Sequence, residues 1–100
     1  MQARYAASLD REMGCTEREW LSWLPGAVHG HALTLGNGKA EVAIGQGRLD
    51  LRWQALAPRQ IALVRLPRLA VQFRFDAGVA DAERQRFMRG FDLYMQRGGG

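Results

Sequence analysis

Cys15 stands immediately ahead of "TEREWLSW", a stretch that reads as the opening of a helix. A thiol at a helix N-terminus sits where the backbone dipole lowers its pKa and favours the nucleophilic thiolate. Activation also needs a base, and none follows Cys15 at a local spacing; only His29 and His31 supply imidazoles that a fold can bring to it. His29 and His31 flank Gly30, so an extended segment puts both rings on one side. Two imidazoles fall short of a closed zinc site, and their spacing matches no structural zinc pattern. The plainer reading makes all three residues inert occupants of junctions between elements. No catalytic residue, metal ligand or cofactor is assigned.

Phosphate chemistry finds no cradle either. The chain contains no GxxxxGK[ST], no Rossmann glycine fingerprint, no HExxH and no GxSxG. Gly36-Asn37-Gly38 and Gly45-Gln46-Gly47 precede strand-like segments and no helix, so they read as hairpin turns.

Arginine carries the remaining chemistry. Thirteen of the fourteen basic residues are Arg, and the net charge of +4 lies wholly in the middle of the chain. Residues 31–75 hold seven basic residues against Glu41 and Asp50, whereas the flanking segments are close to neutral. If residues 48–75 form strands of one sheet, Arg48, Arg52, Arg68 and Arg74 project from the side opposite the apolar residues. Clustered guanidinium groups attract phosphate, so an anionic-ligand or nucleic-acid role for this face is the alternative expectation. Sheet-based RNA readers also place aromatics on that face for base stacking, yet here Trp53, Phe73 and Phe75 alternate inward. The bland reading is a solvated sheet face whose arginines pair with Asp50 and Glu41.

The elements that must position these residues follow from hydrophobic period. "QARYAASLDREMG" spaces Ala6, Leu9 and Met13 for a helix over residues 3–13, with Gly14 as its stop. Thr16 and Glu19 stand in the capping-box relation at the head of a second helix, ended by Pro25-Gly26. From His31 the period becomes two. "HALTL", "KAEVAI" and "RLDLRWQ" are three meander strands joined by the two glycine turns. "ALAPRQ" reads as a loop and "IALVRL" as a fourth strand of ambiguous register, because Ile61 and Leu63 compete with Val64 and Leu66 for the inner face. Pro67 then demands a bulge or an edge position before "RLAVQFRF", which aligns Leu69, Val71, Phe73 and Phe75. A final helix begins near Asp81 and carries a stripe of Phe87, Phe91, Tyr94 and Met95.

The terminal Gly98-Gly99-Gly100 resembles the glycine tails of ubiquitin-like and sulfur-carrier proteins, whose terminal carboxylate is activated by an adenylating partner. In those families a strand of a β-grasp sheet precedes the tail, whereas a helix precedes it here, so a helix cap running into a flexible end is the simpler account.

One hundred residues support one core, which predicts a single α+β domain over 1–97 with a flexible glycine tail at 98–100. Its expected architecture is two-layered: an N-terminal helical hairpin, an antiparallel meander sheet of about five strands, and a C-terminal helix on one sheet face. A single cysteine excludes an internal disulfide, the first fifteen residues lack a signal-peptide core, and no window is apolar enough to span a membrane. The expectation is a cytoplasmic protein with no membrane role. Trp20 and Trp23, with Leu21 and Leu24, give the second helix a wider apolar arc than one core face requires. That surplus predicts a non-enzymatic protein-interaction domain, a homodimer or a subunit of an assembly, with Trp20 and Trp23 in the contact surface.

Overall fold

A computed structural model describes residues 4–97. The elements run β1 (Ser8–Met13), α1 (Glu17–Ala27), β2 (Leu33–Gly36), β3 (Lys39–Ile44), β4 (Gly47–Ile61), β5 (Val64–Phe75) and α2 (Asp81–Arg97). All five strands join one antiparallel sheet in the order β1-β5-β4-β3-β2. Both helices lie on one face of it, where Phe91 meets Phe73 and Trp20, and Phe87 meets Phe75.

The expected N-terminal helical hairpin is replaced by a strand and one helix. Ser8–Met13 pairs with β5, putting Leu9 opposite Phe73, Arg11 opposite Val71 and Met13 opposite Leu69. Leu9 and Met13 are four apart, a spacing that suits a helix face and a strand face equally, and the charged Arg11 hides the period of two. Hydrogen bonds from β5 decide the matter, as tertiary context commonly does for short segments.

α1 opens as its sequence predicts. Thr16 Oγ1 accepts from the Glu19 amide at 3.1 Å and Glu19 Oε1 accepts from the Thr16 amide at 2.9 Å, which satisfies two donors that the first turn leaves orphaned. Pro25 and Gly26, expected to end the helix, lie inside it; the break comes at His29 and Gly30, whose φ values are +50° and +83°. Trp20, Leu24 and Ala27 form its buried stripe.

The hairpin of β2 and β3 forms as expected, and Ala40, Val42 and Ile44 face the core. The larger departure lies further on. "ALAPRQ" is part of β4, and "IALVRL" is the tip of a long β4–β5 hairpin, with Ile61 paired to Val64. A bulge between Leu56 and Arg59 absorbs the one-residue mismatch opposite Pro67, and Pro67 itself lies beyond the last β1 partner, so the expectation of a bulge or an edge position is met. Five strands were expected and five are observed, with β1 taking the place of the separate strand assigned to "IALVRL". In α2 the residues expected on the inner stripe, Phe87, Met88, Phe91 and Met95, are buried and Tyr94 is half-buried. The expected glycine tail at 98–100 lies outside the described residues.

Candidate interaction surface

β4 and β5 outrun their neighbours. The last β4 residue paired to β3 is Arg52, and the last β5 residue paired to β1 is Leu69. Beyond those points residues 54–68 form a two-stranded ribbon on a molecule measuring 47 × 36 × 22 Å. At about 3.3 Å per residue the ribbon reaches roughly 20 Å past the sheet. Its end is apolar and uncovered: Leu63 is 97% exposed, Ile61 and Val64 56% each, and Leu66 42%. The two-residue turn is made by Ala62 and Leu63, with Ala62 at φ +53°, a conformation that glycine adopts freely and alanine resists.

Both margins of this ribbon are poor templates for another strand. The Phe75 amide donates toward the β1 side, to Ala7 O at 2.8 Å. Alternation along the unbulged β5 turns the Pro67 nitrogen to the same side, two residues past the last β1 partner, where it offers no donor. On β4 the other proline, Pro58, falls within the bulge. Proline and bulges are how sheet edges avoid pairing with other chains.

The open face of the sheet carries the arginines expected there, yet most are answered by carboxylates. Arg48 lies 3.6 Å from Glu41 and 3.5 Å from Asp50. Arg74 pairs with Asp10 at 2.9 Å and also donates to the carbonyls of Leu9 and Phe73. Arg68 donates to Glu12 at 2.7 Å and to Ala57 O at 3.2 Å, and Arg59 approaches the same carboxylate at 3.8 Å. The Arg68 guanidinium holds the Glu12 carboxyl below its usual range, and Glu12 in turn raises Arg68. Arg52 differs. It is directly opposite Lys39, and among the described residues neither makes an ion pair. Both border a shallow depression of about 360 Å³ shared with Thr34, Glu41, Arg48 and Asp50.

The tryptophans expected at a contact surface have gone largely inward. Trp20 is 0% exposed, with its ring 5.6 Å from Trp53 and 5.9 Å from Phe91, so it offers nothing to a partner of the folded chain. Its Nε1 has no hydrogen-bond partner among the described residues, whereas Trp53 Nε1 donates to Glu17 at 2.8 Å. Trp23 is half-buried against the same core. The surface that sequence reasoning missed is the ribbon tip. Its signal was the unresolvable register of "IALVRL": apolar residues on both faces of a strand fit no half-buried sheet, and here neither face is covered.

Cys15, His29 and His31 are each engaged within the fold. Cys15 is buried, and burial together with the Glu19 carboxylate pushes its thiol up, away from thiolate chemistry. His29 Nε2 donates to Gly90 O at 2.8 Å and His31 Nδ1 to Ala43 O at 3.1 Å, tying the α1–β2 connection to α2 and β3. They border a hollow of about 260 Å³ with Ile44, Glu83, Arg86, Phe87 and Gly90. Among the described residues no three His, Cys, Asp or Glu side chains gather to hold a metal ion, and no helix is long and apolar enough to cross a membrane.

No protein-family model, no curated protein and no solved structure matches the chain.

Proposed function

We propose that this protein is a non-enzymatic protein-interaction domain, a homodimer or an assembly subunit, whose contact surface is the β4–β5 ribbon. The observation that carries the reading is the cluster of Ile61, Leu63, Val64 and Leu66 held in solvent on a projecting hairpin. Covering a leucine as exposed as Leu63 is worth about 1.5–3 kcal/mol, and a two-stranded ribbon without a covered face is marginal by itself. A strained turn that presents the highly exposed Leu63 beyond the edge of the neighbouring strands is a feature that partner binding would explain. Burial, with the Glu19 carboxylate, raises the Cys15 thiol pKa, which disfavours thiolate chemistry at that residue.

The test is a photo-crosslinking amino acid placed at position 63 of the full chain in cells, compared with one at the exposed Arg18 on α1. A discrete adduct specific to position 63 is expected. Equal, diffuse labelling at both positions refutes the ribbon as a contact surface.

A second reading, binding of nucleic acid or another anionic ligand, is favoured by one observation: Lys39 and Arg52, side by side on the open face without an ion pair among the described residues. Its test is a fluorescent mixed-sequence oligonucleotide at two salt concentrations. Affinity that collapses with salt and falls when Arg52 and Arg74 become Ala supports it; no binding removes it.

A further inference from the structure

We infer that the outer edge of β2 binds an extended, acidic peptide segment of another protein by strand addition. This contact is separate from the ribbon and goes beyond the reading above.

The sheet margins differ in how they are guarded. β1 carries Asp10, Arg11 and Glu12, with Arg11 turned inward to Asp92, and the ribbon has Pro67 on one side and the bulge containing Pro58 on the other. Charge on an edge strand, inward-pointing charge, proline and bulges all discourage pairing with another chain. β2 has none of them: Leu33, Thr34, Leu35 and Gly36 are uncharged, regular in register against β3, and exposed from Thr34 onward. The Ala43 amide donates to Ala32 O at 3.0 Å, so alternation turns the backbone groups of Thr34 and Gly36 toward β3 and those of Leu33 and Leu35 outward. An incoming strand finds donors and acceptors there, the mode in which main-chain hydrogen bonds give affinity and alternate side chains give specificity.

Charge and shape choose the occupant. Lys39 is the β3 partner of Gly36, and its Cγ, Cδ and Cε stand 3.1, 3.7 and 3.2 Å from the place a Gly36 Cβ would take. The lysine stem lies across the edge strand because glycine leaves it room, and it carries the ammonium toward the free margin. Among the described residues neither Lys39 nor Arg52 beside it has an ion-pair partner. A carboxylate on the added strand opposite Gly36 meets that ammonium. Opposite Thr34, whose β3 neighbour is Glu41, a neutral residue fits. On the other face the added strand lays apolar side chains beside Leu33 and Leu35, the latter 51% exposed. An antiparallel segment reading acidic, apolar, neutral, apolar satisfies all of these positions. A second copy of β2 brings a second Lys39 and no acid, so like charges oppose self-pairing.

The probe is the fluorophore-labelled peptide acetyl-Val-Glu-Val-Thr-Val-amide, titrated by anisotropy against the full chain up to about 1 mM, with amide exchange of the protein followed by NMR. Binding is expected, with new protection of the Leu33 and Leu35 amides. Replacing Glu in the peptide by Lys weakens binding at least about tenfold, and the exposed Lys39→Glu variant reverses that preference. N-methylation of the central Val, which removes a main-chain donor and leaves the protein untouched, weakens binding at least about tenfold. No binding by about 1 mM, protection confined to residues outside β2, equal affinity for the Glu and Lys peptides, or indifference to N-methylation each overturns the inference. Protection of the Leu33 and Leu35 amides that grows with protein concentration in the absence of peptide overturns it in favour of self-pairing.

Discussion

Removing the carboxylate of Asp92 tests how β1, the strand misread as a helix, is held to α2. Asp92 accepts from Arg11 Nη1 at 2.5 Å, from Arg11 Nη2 at 2.9 Å and from Tyr5 Oη at 2.7 Å. Arg11 points inward from an edge strand, and its guanidinium also lies over Phe73 at 5.4 Å and Tyr5 at 5.7 Å. The paired side chains are 28% and 24% exposed. Breaking a fully buried pair from one side costs about 3–5 kcal/mol and breaking an exposed one about 0–1, so this intermediate pair is worth about 2. Loss of the acceptor for Tyr5 adds up to about 1 kcal/mol. Asp92→Ala is therefore expected to destabilise by about 2–3 kcal/mol, a fall of roughly 10–20 °C in Tm for a chain this size. Arg11→Met combined with Asp92→Leu recovers most of that loss, because no unpaired charge is then left behind. Urea unfolding of wild type, the two single alanine variants and their double variant gives the coupling energy directly. A cost for Asp92→Ala below about 0.5 kcal/mol, or a coupling near zero, would show that the strand is held by β5 alone and that the argument is wrong.

Ala62→Gly relieves the positive φ at the ribbon turn and is expected to stabilise by about 0.5–1 kcal/mol after the entropy of the added glycine; a loss in urea titration contradicts a strained tip. Gly78→Ala puts a methyl 2.7 Å from Gln46 O and 2.8 Å from Gly47 Cα, backbone that cannot step aside, and is expected to cost about 1–3 kcal/mol; a thermal melt unchanged from wild type contradicts the close approach. The rate of Cys15 alkylation should stay low through the pH range where an exposed thiol already reacts, since burial raises its pKa; rapid labelling near neutral pH restores an activated thiol. Tyr5, raised first by its hydrogen bond to Asp92, contributes stability that is complete below about pH 10, the ordinary tyrosine range, and is lost as pH rises through its folded-state value. Asp81, held down first by Arg4, acts in the opposite sense. Its contribution is present above its ordinary range and is lost as pH falls through the folded-state value, so acid unfolding of Arg4→Ala should begin at a higher pH than that of wild type.

Where a local rule acts within a few residues, the sequence alone determined the outcome. The capping box at Thr16 and Glu19, the turn at Gly36-Asn37-Gly38, the inward alternation of Leu49, Leu51 and Trp53, and the apolar stripe of α2 each follow from contacts between near neighbours. Pro67 likewise announced a bulge or a free margin, because a missing donor is a local fact. The tertiary structure decided what depends on partners distant in the chain. Met13 and Leu69 are 56 positions apart, and only their pairing makes residues 8–13 a strand and turns Arg11 inward to Asp92. Trp20 is buried because Trp53 and Phe91 arrive beside it, and Arg68 is neutralised because Glu12 does. The tip of "IALVRL" is exposed because β1 and β3 stop short of it. Residue type determines which groups need company, and long-range pairing determines which of them find it. At Leu63 no described side chain supplies it, so the most exposed large apolar residue among those described marks the proposed interface.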